Sequence, residues 1–92
     1  MDKNRLVLES LSSDLKRVSL GLQRKSLNMA NRFSKEAQKR VKEVRESDTA
    51  PYISKIISQL VKHLNKDFSD RSAEDMLMYS VILQNYCFKK LA

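Results

Sequence analysis

Only two backbone-breaking residues occur in the whole chain, Gly21 and Pro51, and that scarcity decides the fold class. A sheet protein turns every few residues, and its tight turns draw on glycine for positive φ and on proline for a fixed one. With one of each in 92 residues, helices joined by few connections are expected. The length suits a single domain spanning 1–92, and a globule of that size hides only about 60% of the surface of its unfolded chain. Such thin stability is a first reason to expect self-association. Apolar residues make up 41% of the chain and charged ones 32%, hydrophobic enough to fold rather than remain a charged tail.

The apolar pattern supplies the helices. Leu8, Leu11, Leu15, Val18 and Leu22 are spaced alternately three and four apart, the spacing of a packed helical seam. Beyond Leu22 the seam continues through Ser26, Met29, Phe33, Ala37, Val41 and Val44. Leu11, Leu22, Phe33 and Val44 recur every 11 residues, which predicts a nearly straight helix rather than a long supercoil. Gly21 interrupts this run, and Leu20 and Leu27 lie opposite the seam. Two readings follow: two helices over about 3–20 and 23–46 joined near Gly21, or one helix over about 3–46. The seam keeps phase across Gly21, and no Pro or Asx cluster marks a turn. Both points favour the continuous helix.

Ser47-Asp48-Thr49-Ala50-Pro51 is the clear break, with capping residues followed by a proline suited to a first helical turn. A second helix is predicted over about 50–67, with Ile53, Ile56, Ile57, Leu60, Val61 and Leu64 as its core face. Its pattern stops near Asn65, and Ser72 with Asp75 resembles a capping box opening a third helix over about 73–91. That third helix is apolar around most of its circumference. With so few other helices to cover it, a second copy of the chain is the expected cover, through Met76, Tyr79, Leu83, Tyr86 and Phe88. The fold class is therefore an all-α bundle, one long basic amphipathic helix plus a C-terminal helical hairpin, assembled as a homodimer.

Enzyme chemistry finds little support. His63 is the only histidine and Cys87 the only cysteine, so no metal-ligand set is expected; His63 and Asp67, four apart, read as a surface pair. Cys87 between Tyr86 and Phe88 reads as an inert core thiol. Glu74 and Asp75 are adjacent on a helix, point about 100° apart and form no carboxylate dyad. A single glycine makes no phosphate-cradling loop. No cofactor or small-molecule substrate is expected. The run Leu6-Val7-Leu8 is far short of a signal-peptide core, and the longest apolar runs fall well below the roughly 20 residues that span a bilayer. A lone cysteine suits a reducing compartment, so a cytoplasmic protein is expected.

The charge is the informative feature. Residues 16–45 hold ten basic side chains and two acidic ones, +8 in all, against +7 for the whole chain. On a helical wheel Arg17, Arg24, Lys25, Arg32, Lys35, Lys39 and Lys42 fill the half-cylinder opposite the seam. On one continuous helix they make a stripe about 35–40 Å long. Such a stripe suits an acidic protein partner or, alternatively, nucleic-acid phosphates contacted without sequence readout. A non-enzymatic binding module, a small regulatory or adaptor protein presenting this face to an acidic protein, is the expected function.

Overall fold

A computed structural model describes residues 3–65, 68, 69 and 71–91 of the chain. Among them are four α-helices and a single 3-10 turn: α1 (Lys3–Gln23), α2 (Leu27–Glu43), the turn at Glu46–Asp48, α3 (Pro51–Leu64) and α4 (Ser72–Leu91). The fold is all-helical, as the Gly and Pro scarcity predicts.

The single long helix does not form. The chain leaves α1 through a Schellman ending: the Ser26 N–H donates to the Gly21 carbonyl at 2.8 Å and the Lys25 N–H to that of Leu22 at 3.1 Å. Lys25 takes the left-handed conformation this ending requires, with φ of 58°. Ser26 then caps α2, its hydroxyl accepting the Met29 N–H at 3.4 Å. In three residues, Arg24 to Ser26, the chain reverses, and α2 runs back along α1. The phase that suggested continuity is the phase of two separate seams facing each other. A left-handed backbone costs a side-chain-bearing residue about 1 kcal/mol that glycine does not lose. Lys25→Gly should therefore raise stability by roughly 0.5–1 kcal/mol, read as an upward shift in the chemical denaturation midpoint with an unchanged slope.

Gly21 lets the hairpin close. A β-carbon there would lie 2.8 Å from the Ala30 backbone nitrogen and 3.2 Å from its α-carbon. Ala30, Ser34 and Ala37 form the buried face of α2, so small residues line the crossing on both helices.

On its other flank α1 packs antiparallel against α4, by contacts seven residues apart. The Ser12 hydroxyl donates to the Ser80 carbonyl at 2.8 Å, and the Ser80 hydroxyl donates to the Ser12 carbonyl at 2.9 Å. One heptad along, the Ser19 hydroxyl donates to the Ala73 carbonyl at 2.7 Å; one heptad back, Cys87 Sγ lies 4.0 Å from the Arg5 carbonyl. Serines at these positions satisfy themselves on the neighbouring backbone, so the two helices approach closely without an orphaned hydroxyl. Met76, Tyr79, Leu83 and Cys87 of α4 join Leu8, Leu11, Leu15 and Val18 of α1 in the core.

The third element, α3, bridges α2 and α4 and adds Ile53, Ile57, Leu60 and Leu64 to that core. Its entry is fixed by tertiary bonds rather than by a side-chain cap: Ala50, not Thr49, holds the cap position, and its N–H donates to the Tyr86 hydroxyl at 3.1 Å. Buried Asn4 accepts the Arg45 N–H at 2.8 Å and donates to the Thr49 hydroxyl at 3.0 Å, tying the start of α1 to the α2–α3 connection. The expected Ser72–Asp75 box is replaced likewise. Ser72 lies inside α4 and its hydroxyl accepts the Ser69 N–H at 2.7 Å, while Asp75 turns toward α3.

Candidate functional site

The fold redistributes the basic residues. Arg32, Lys35, Lys39 and Lys42 lie on the side of α2 opposite Ala30, Ser34 and Ala37, and all four are exposed. Arg24 and Lys25 are exposed at the hairpin tip, and Arg17 projects from α1 beside α2. The seven remain on the surface, but the 35–40 Å stripe does not exist, because the chain folds back on itself. The row from Arg32 to Lys42 covers about 15 Å of helix. A new centre replaces the lost length: the Arg17 guanidinium stands 5.2 Å from the Phe33 ring centroid and that of Arg32 stands 5.6 Å from the same ring. Cations over an aromatic face gain electrostatic attraction, so Phe33 holds together two arginines fifteen positions apart in sequence.

Two basic residues of the 16–45 segment are turned to internal duties. Lys16 donates to Gln84 of α4 at 3.0 Å. Arg40 reaches inward, its Nε 3.7 Å from Asp14 Oδ2 on α1 and its Nη1 3.9 Å from Glu43. Asp14 also faces Arg17 Nη1 at 4.0 Å. These separations exceed hydrogen-bonding distance, and Asp14 Oδ2 and Arg40 Nε are both buried with no hydrogen-bond partner among the described residues. Burial raises the Asp14 carboxyl above its ordinary 3.8, and the opposing pull of Arg40 does not cancel it. Desolvation wins over attraction here.

An acid with a raised value binds its proton more tightly folded than unfolded, so stability falls as pH climbs from 3.8 through that value. Asp14→Asn should remove this loss. Its stability relative to the parent rises with pH and is greatest near neutrality; chemical denaturation of both proteins across that range checks it, and a difference independent of pH would contradict it.

The residues expected to join a second copy are placed differently. Met76, Tyr79 and Leu83 belong to the chain's own core, against α1, because the α1–α2 reversal frees α1 to cover α4 within the same chain. Tyr86 is partly buried, its ring edge-on to Tyr52 at 5.9 Å between centroids. Of the five, Phe88 alone is strongly exposed, at 63%. Sequence reasoning missed Leu77, Met78 and Val81, which α4 exposes beside it. The helical angle relative to Leu83 separates the two groups, once the chain's own α1 is known to cover the Leu83 side.

The expected partner of His63, Asp67, lies outside the described residues; His63 Nδ1 stands 3.8 Å from Asp75 Oδ2 of α4, and its ring meets Tyr79 edge-on at 5.5 Å. Burial, with the Asp75 carboxylate adding to it, raises the Tyr79 phenol above its usual value. Among the described residues no three His, Cys, Asp or Glu side chains gather as a metal site would require, and no helix is long and apolar enough to cross a membrane. A shallow groove of about 300 Å³ runs between α1 and α4, lined by Arg5, Glu9, Lys16, Gln84 and Phe88 among others. Its Arg5 and Glu9 pair with each other at 3.1 Å. No protein-family model matches the chain, and neither does any curated protein or solved structure.

Proposed function

We propose that this chain is a non-enzymatic binding module, a small regulatory or adaptor protein of the cytoplasm, whose basic face on α2 and the hairpin tip takes an acidic protein partner. The observation that carries the reading is the row Arg32, Lys35, Lys39 and Lys42, exposed together on the side of α2 turned away from the core. Its one ion pair among the described residues, Lys39 with Glu36 at 3.8 Å, is itself solvent-exposed and holds the lysine weakly. Charges so placed steer an acidic surface and fix its orientation.

A protein partner is favoured over nucleic acid by what stands among the cations. Leu27, 62% exposed, opens α2 next to Arg24 and Lys25. A leucine gains nothing against a phosphate backbone, whereas a protein surface would bury it. The shortened row also offers a nucleic acid fewer phosphate contacts than a 40 Å stripe would.

Fluorescence anisotropy with two probes tests this: a glutamate-rich peptide and a random-sequence DNA duplex, each at 50 and 200 mM salt. The peptide is expected to bind more tightly, and replacing Arg32, Lys35 and Lys39 with Gln to weaken it by roughly tenfold or more. Tighter duplex binding, falling steeply with salt and weakened by the same triple substitution, would decide for nucleic acid instead.

A further inference from the structure

We infer that two copies of this chain associate through the α1–α4 side of the molecule, with α4 packed antiparallel against α4 of the second copy. Leu77 is 41% exposed, Val81 43% and Phe88 63%. Spaced four and seven apart, they form one ridge along α4, on the side where Gln84 meets Lys16. Leu20, 37% exposed and four residues on from Lys16, lies on the same side of α1. Single exposed leucines need no explanation, but large apolar side chains recurring along one side of a helix on a charged protein mark a surface that is covered.

Three observations identify the cover as a second copy. The first is charge. Two chains of +7 repel, and the exposed row that concentrates this charge lies beyond α2, on the far flank of α1 from α4. Beside the ridge Arg5 is paired with Glu9, and Lys16, bonded to Gln84, and Glu74 are exposed, charges of opposite sign that can stay in water at the rim of an interface.

The second is self-complementarity. A two-fold axis level with Ile82 and Leu83 sets the Phe88 ring of each copy over Leu77 of the other and brings the two Val81 side chains near the axis, the reciprocal pattern a symmetric dimer needs. The third is area. The molecule measures 36 × 22 × 19 Å, so its broad side accommodates the roughly 800 Å² per partner of a standard interface.

Sedimentation equilibrium of the full chain from 1 to 100 µM is expected to give twice 10.7 kDa at the upper end. Val81→Glu and, separately, Phe88→Glu are expected to weaken association at least tenfold with unchanged helical circular dichroism, since both side chains are exposed in the single chain. Val81→Cys should cross-link to itself on mild oxidation, and Lys35→Cys should not. The inference is overturned by a wild-type monomer at 100 µM, which assigns the ridge to another occupant. It is overturned equally by a dimer that neither glutamate disturbs, or by cross-linking through Lys35→Cys but not Val81→Cys. The basic-face substitutions leave the mass unchanged, so this test and that of the basic face fail independently.

Discussion

Replacing Gly21 with alanine is expected to destabilise the protein by about 2 kcal/mol, a fall in melting temperature of roughly 10 °C for a domain of this size. Two effects oppose each other at this position. Alanine is the better helix former by about 1 kcal/mol, and in a solvent-facing turn of helix the substitution would stabilise by that amount. In the hairpin the new methyl lies 2.8 Å from the Ala30 nitrogen, a backbone atom that no rotamer change can move. The helices must part or shift, and overpacking of this kind costs about 1–3 kcal/mol, with rigid backbone contacts at the upper end. The steric term wins. A continuous helix through Gly21 predicts the opposite sign, so a thermal melt separates the two folds without a structure determination.

At Ser80 the contrast lies between two substitutions. Ser80→Leu is expected to cost about 3 kcal/mol or more, and Ser80→Ala about 1 kcal/mol or less. Alanine removes one hydroxyl and its bond to the Ser12 carbonyl. That carbonyl still has its helical partner, and the Ser12 hydroxyl still donates to the Ser80 carbonyl, so no buried group is stranded. Leucine instead adds three carbons at a fully buried position where α1 and α4 touch. Denaturant unfolding of the two variants measures the ratio. Equal, small effects would mean that the two helices are not in contact at this position.

The parts of the fold legible in the sequence are those with a local marker. Pro51 announced α3, which ends at Leu64 rather than at the predicted 67, and the acidic turn after Ser72 opened α4 within a residue of its place. The exposed cations were legible because periodicity alone separates them from the seam. The reversal at Lys25 was not, because its left-handed residue is a lysine where a glycine would have signalled the turn. Ser26 as a cap, and small residues at Gly21, Ala30, Ser34 and Ala37, are the traces the turn leaves in the sequence. Long-range polar contacts were equally hidden. Ser12 and Ser80 look like solvent residues until a partner 68 positions away is known, and without that partner the Met76, Tyr79 and Leu83 side of α4 read as a surface for a second copy.

With α2 and α4 on opposite flanks of α1, the charged row and the apolar ridge are separated, and a chain of 92 residues acquires two surfaces that do not compete. A dimer through the ridge would carry two basic faces and engage a repeated acidic partner with higher avidity. All of this depends on the turn between α1 and α2. The most direct measurement is a pulsed electron spin resonance distance between labels at Ser13→Cys and Lys42→Cys, on a Cys87→Ser background. The hairpin places the two labels about 20–25 Å apart, adjacent helices lying roughly 8–10 Å apart between axes with label arms on either side. A distance near 44 Å, the length of 29 residues of unbroken helix, would contradict it.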